Sequence, residues 1–247
     1  MSILITYIIP PEQEFDYVPS IKAFLESYKK YTPTIEHKLV LVFKDWPFQK
    51  ATYGSGYDVG NAQIEQDTNR GYDIGTFIRK AKINKDYEYF VGLSTHARLL
   101  CPNWLELMYI ALQCHDTGLV GATGSYEKGA KGTNFPNYHI RTSCFMIRTK
   151  LFNSLKFPEI EGKDECYEVE HGDKSLTWQV LNKGHRCLVA GKDGGVFDKE
   201  WWPHSYTFRH GDQENLIASD NHTRNFDNLP KDRQIQMYKE AYFTGDR

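Results

Sequence analysis

The sequence predicts an α/β fold, one domain spanning residues 1–247 on a mostly parallel central sheet flanked by helices. Three observations lead there. Apolar, β-branched runs at 3–9, 38–43 and 87–93 have the composition of buried strands. Segments with helical spacing follow them, at 18–31, 69–83 and 104–114. Strand and helix therefore alternate through the first half, the pattern of a doubly wound sheet with crossover helices.

Taken in order, Ile3 to Ile9 is a first buried strand, cut off by Pro10-Pro11. Val18, Ile21, Phe24, Leu25 and Tyr28 fall on one helical face, with Ser20 near its start. Lys38 to Phe43 is a second buried strand that stops at Lys44-Asp45-Trp46-Pro47. Asn69 to Ile83 predicts a turn running into a helix, and Tyr89 to Leu93 a central strand. Trp104 to Cys114 is helical in pattern, and Gly118 to Ala122 a short strand. The second half is less regular. His139 to Ile147 has strand character, Asp173 to Asn182 helical spacing, and Arg186 to Ala190 strand character. Residues 192–227 are rich in Gly, His, Asn and aromatics with little periodicity, before a closing helix from Lys231 to Tyr242.

Composition narrows the function. Of 247 residues, 40% are hydrophobic and 25% charged, as in soluble globular proteins, and a net charge of −2 supplies no attraction to nucleic acid. Cys101, Cys114, Cys144, Cys166 and Cys187 form no C-x-x-C pair, which fits free thiols in a reducing compartment. The apolar amino terminus lacks a basic region and is too short for a signal peptide or membrane span. The expected setting is the cytoplasm, with work at a membrane surface left open. Gly54 to Gly60 hints at a dinucleotide loop, but its glycine spacing is wrong and no strand leads into it.

Two segments carry candidate chemistry. The strand 89–93 runs into Ser94-Thr95-His96, and open α/β sheets bind ligands beyond the carboxyl ends of their strands. An ordinary turn is the plainer reading. Asn69-Arg70-Gly71-Tyr72-Asp73-Ile74-Gly75 sets an aspartate between two glycines at a helix start, where backbone can approach an anion. Asp73 as a simple helix cap is compatible with that.

This order of segments resembles the GT-A-fold glycosyltransferases, most of all the family-2-like enzymes of bacterial surface-polysaccharide synthesis and their viral counterparts. The resemblance implies a nucleotide-sugar-binding half, 1–125, and an acceptor-binding half with a closing segment, 126–247. It places Thr6, Tyr7 and Asp45 at the nucleoside, and Arg70, Gly71, Asp73, Ser94, Thr95 and His96 along the ribose, diphosphate and sugar. Its Asp-x-Asp motif, which holds a divalent Mn²⁺ or Mg²⁺, is replaced here by Ser94-Thr95-His96. Mg²⁺ prefers oxygen ligands, so the replacement weakens the case for it. His96 and His210 are the candidate metal ligands; otherwise Arg70, Arg79 or Arg98 would neutralise the diphosphate without metal.

The resemblance also implies an acidic residue that deprotonates the acceptor hydroxyl, giving inversion. Glu170 matches best, with Glu168 and Asp173 behind it; the alternative is that these are acids favoured at a helix start. Among His204, His210 and His222, one would serve the donor from the closing segment. Trp201 and Trp202 would stack on sugar or fill the core, and His139, Arg141 and Ser143 would line the acceptor cleft or a solvated face. The implied function is transfer of a sugar from a nucleotide-sugar to a hydroxyl of a glycan or lipid-linked glycan. The alternative is a non-catalytic relative that binds a nucleotide or sugar. A nucleotidyltransferase is disfavoured, since no glycine- and lysine-rich loop follows the first strand.

Overall fold

Seven consecutive buried residues, Ile3–Ile9, form strand β1, and their alternation supplies both faces of the sheet. Ile3, Ile5, Tyr7 and Ile9 point into one cluster with Phe24, Trp104 and Met108. Leu4 and Ile8 point into another with Phe77, Phe90 and Phe145. A strand buried on both sides is therefore apolar throughout, as its sequence is.

The computed structural model describes residues 1–11, 17–46, 60–129 and 133–244. Gly54 to Val59 and Pro47 lie outside the described residues. Helix α1 (Val18–Lys30) follows β1, then β2 (Lys38–Lys44) and β3 (Gln63–Asp67). Helix α2 (Tyr72–Ile83) leads to β4 (Tyr89–Leu93), the two-residue β5 (Arg98–Leu99), helix α3 (Trp104–Gln113) and β6 (Thr117–Gly121). Beyond lie β7 (Gly124–Ser125), β8 (His139–Ile140), β9 (Cys144–Arg148) and helices α4 (Thr149–Asn153), α5 (Lys163–His171) and α6 (Leu176–Asn182). The chain closes with β10 (Arg186–Ala190), β11 (Val196–Phe197), a 3₁₀ turn at Lys199–His204, β12 (Ala218–Ser219), α7 (Asn221–Asp227), α8 (Lys231–Lys239) and a π turn at Glu240–Thr244.

The main sheet has eight strands in the order β11-β10-β6-β9-β4-β1-β2-β3, drawn from both halves of the chain. Its β1–β2, β1–β4, β2–β3 and β6–β10 pairs are parallel. Strand β9 runs antiparallel between β4 and β6.

Three expectations are corrected. The predicted strand 139–147 is two strands, because polar Arg141, Thr142 and Ser143 turn the chain out of the sheet between β8 and β9. Strand β3 is an addition to the expected elements; its sequence, Gln-Ile-Glu-Gln-Asp, is polar at all positions but Ile64, as an edge strand can be. The single helix expected over 173–182 begins at Ser175, whose hydroxyl accepts from the Trp178 amide, and a separate helix, α5, precedes it. Gly172 marks the break: a Cβ there would lie 2.7 Å from the Glu168 Cα. Glu168 and Glu170 thus occupy the last turn of α5, not a helix start, and the macrodipole does not explain them.

Strand β12 pairs antiparallel with β5. That ribbon carries the carboxyl-terminal segment back across the sheet to the exit of β4, and it positions the site.

Candidate active site

A cleft of about 530 Å³ opens beyond the carboxyl end of β4. One wall comes from the strand and helix ends of the first half. Lys44, the last residue of β2 and 2% exposed, donates from Nζ to Asp73 Oδ1 at 3.2 Å. Asp73 sits in the first turn of α2, whose N-cap is Gly71 at φ +77°, a backbone region that favours glycine. The turn before it is latched by Arg79, which donates from Nε to both Asp67 oxygens and from Nη1 to the Arg70 carbonyl.

At the β4 exit the triplet divides. The Thr95 hydroxyl donates to the Ile8 carbonyl, and its own carbonyl accepts from the Tyr7 hydroxyl at 2.7 Å, so Thr95 faces the core. Ser94 and His96 face the cleft. His96 Nδ1 lies 3.2 Å from Ser20 Oγ; burial, then the Arg224 charge, holds the imidazole below its ordinary pKa and keeps it neutral.

The opposite wall belongs to the second half. The turn at 141–143 aims Thr142 at Glu170, and its hydroxyl donates to Oε1 at 2.6 Å. The Cys166 thiol, one helical turn earlier on α5, points at Oε2 from 3.6 Å. Burial raises the Glu170 pKa, and the Thr142 hydrogen bond offsets only part of that. Arg141 donates to Asp220 Oδ2 at 3.1 Å. Burial alone would raise the Asp220 pKa, but Arg141 and the Thr223 amide outweigh it and keep the carboxylate ionised. Glu127 pairs with Arg209. His139 is buried, which lowers its pKa to about 3; it donates from Nδ1 to the Asn137 carbonyl and is neutral.

The structure therefore gathers Asp73, Ser94, His96, His139, Arg141, Ser143, Glu170 and His222 around one cleft. Thr6 and Tyr7 are fully buried within β1, with Tyr7 stacked on Phe24 at 3.6 Å. Asp45 accepts from the Asn69 amide, and Arg70 lies outside the cleft lining, paired with Glu159 and Glu161. Trp202 is a core residue, and a Cβ on Gly124 would lie 2.5 Å from its ring. Trp201 is exposed outside the cleft lining, and His210 is stacked between Tyr206 and Tyr238 at 4.1 and 4.5 Å. Glu127, Tyr167 and Asp220 line the cleft without having been singled out in the sequence. For Asp220 the sequence carries a signal for a helix cap only: with Thr223 it makes a reciprocal cap at the start of α7, which does not by itself point to the cleft.

No family model matches the chain, and neither does any curated protein sequence. Among solved structures it is similar to the mannosyltransferase PcManGT of Pyrobaculum calidifontis, in complex with GDP-Man and Mn²⁺. That match has 14% identity and a TM-score of 0.52 over 78% of this chain and 55% of that one. The fold is that of a GT-A glycosyltransferase. A likeness to TarS of S. aureus (residues 1–349) has 16% identity and a TM-score of 0.45, over 68% of this chain and 54% of that one. The chain thus spans about half the length of the structures it matches. Among its described residues no helix is long and apolar enough to cross a membrane.

The GT-A fold implies a divalent cation, and the donors of this cleft do not fit one. Asp73, Asp220 and Glu127 are each held by an internal cation, Lys44, Arg141 and Arg209. Glu170 accepts from Thr142 and has its proton affinity raised by burial. Among the described residues no three His, Cys, Asp or Glu side chains converge as metal ligands would.

Proposed function

We propose that the protein transfers a sugar from a nucleotide-sugar donor to a hydroxyl of a glycan or lipid-linked glycan, with inversion. The observation that carries this reading is Glu170. It is the one cleft carboxylate among the described residues with no cation holding it, and it stands across from the β4 exit. In its ionised form Glu170 accepts the proton of the acceptor hydroxyl as that oxygen bonds to the anomeric carbon. The bond from that carbon to the donor phosphate breaks, and the nucleoside diphosphate leaves with the electron pair. Thr142 fixes the carboxylate through Oε1, and Oε2, which meets only the weak Cys166 thiol donor at 3.6 Å, is the oxygen proposed to take the proton.

In this reading residues 1–125 hold the donor, with Asp73, Ser94 and His96 along it, and residues 126–247 present the acceptor beside His139. Thr6 and Tyr7 act from beneath the nucleoside by shaping β1. The setting is cytoplasmic, with the acceptor met at a membrane surface when it is lipid-linked.

The test is a panel of nucleotide-sugars and glycan acceptors, scored by nucleoside diphosphate release and product mass. Glu170→Gln should lower turnover by about 100- to 10,000-fold with donor affinity retained. Donor binding without turnover by the parent protein on any acceptor would favour a non-catalytic nucleotide- or sugar-binding protein instead.

A further inference from the structure

Three arginines near the amino-terminal wall look equivalent in the sequence, and the structure separates them. Arg70 is paired with Glu159 and Glu161, and Arg79 with Asp67 and two backbone carbonyls. Arg98 is half-buried on β5, four residues beyond Ser94. Among the described residues its buried Nε has no hydrogen-bond partner and no carboxylate pairs with its guanidinium.

A second arginine joins it through the returning tail. Ser219 on β12 is the ladder partner of Arg98, and Arg224 donates from Nη1 to Ser219 Oγ at 3.2 Å and to the His96 carbonyl at 3.0 Å. Both acceptors are neutral. The neighbouring carboxylate, Asp220, is held by Arg141. Burial and then the Arg98 charge lower the proton affinity of Arg224, and the Asp220 charge offsets only part of that. Neither arginine is part of the cleft lining; the pair lies beside the strand exit, Arg224 on the His96 carbonyl and Arg98 two residues beyond it, where the fold would place a metal and the carboxylates do not suit one.

We propose that Arg98 and Arg224 bind the diphosphate of a nucleoside diphosphate directly, in the place of a divalent cation. The proposal rests on the sugar-transfer reading and gives it a specific, metal-independent mode of donor binding. Guanidinium forks match phosphate oxygens in pairs and are always charged, so two of them can balance a diphosphate. An arriving anion would also relieve the repulsion between them.

Isothermal titration of the full chain tests this, with UDP, GDP, CDP, ADP and inorganic pyrophosphate, each in EDTA and in Mn²⁺. Pyrophosphate and at least one nucleotide should bind in EDTA, with affinity within about threefold of that in Mn²⁺. Arg98→Gln and Arg224→Gln should each weaken pyrophosphate by about 10- to 100-fold, the effect of losing a charge-assisted contact. Arg70→Gln should change it less than about twofold. Because the Arg98 side chain has no hydrogen-bond or ion-pair partner among the described residues, Arg98→Gln should keep or raise the melting temperature, which separates lost binding from lost folding. Binding that requires Mn²⁺, or that ignores Arg98→Gln, overturns the proposal. Pyrophosphate binding in EDTA that depends on Arg98, with no nucleotide bound, would keep the arginine pair as a phosphate site and defeat the sugar-transfer reading. Failure of every ligand in both conditions defeats both.

Discussion

The two walls of the cleft are built by different means. The amino-terminal wall is the end of a buried parallel sheet, with Tyr7 and Thr95 tied to backbone carbonyls and the helix behind it started by Gly71. The carboxyl-terminal wall is a set of short pieces, β8, the 141–143 turn, the end of α5 and the start of α7, joined by charged pairs such as Arg141–Asp220. The first wall takes its shape from hydrophobic burial, which is large and non-directional. The second takes its shape from polar contacts, each of which is costly to break once buried. The first wall has its own buried ion pair, Lys44–Asp73, so the two differ in how much of their shape rests on single polar side chains.

The largest stability effect should come from the second wall. Asp220→Ala removes the partner of Arg141 and the cap of α7, and should cost about 3–5 kcal/mol by urea denaturation. Asp220→Asn, which can still cap, should cost less; equal losses would show that the ion pair is not what holds this wall. On the first wall, Gly71→Ala should cost about 1–2 kcal/mol from the left-handed backbone. Crowding adds to that, since its Cβ would lie 3.1 Å from Gly75 Cα and 3.2 Å from Ile160 Cβ. A loss below about 0.5 kcal/mol would show that the α2 start has slack.

The smallest effect is on pH. Glu170 has a raised pKa when folded, so above that pKa the unfolded chain gains more from ionisation than the folded one. At neutral pH Glu170→Gln should therefore keep or modestly raise the melting temperature, and the difference should vanish as pH falls below the unfolded value of about 4.3. Turnover in the parent protein should fall on the acid side at a pH above that of an ordinary glutamate. A variant less stable than the parent at pH 7 would mean that the carboxylate supports the wall instead of straining it.

The same contrast governs what the sequence reveals. Strands β1, β2, β4 and β10 are legible because each is a nearly continuous apolar run. Strand β3 is hidden by its polar edge sequence, and the direction of β9 depends on a turn of polar residues that also fits a continuing strand. Glu170 is identifiable by residue, yet its helix is not, because the break at Gly172 depends on contact with Glu168. Asp220 is out of reach for another reason: its partner Arg141 is 79 residues away. Arg70, Arg79 and Arg98 differ only in which carboxylates the fold brings to them.

The β5–β12 ribbon has one more consequence, for the order in which this molecule becomes able to bind. During synthesis the strands of the amino-terminal wall emerge early and have their parallel partners at once. Asp220, His222 and Arg224 emerge after those strands, and the pairing of Ala218–Ser219 with Arg98–Leu99, together with the Arg141–Asp220 and Arg224–His96 contacts, holds them in place. A nascent chain can therefore form the strands of the first wall while the candidate cleft still lacks the second.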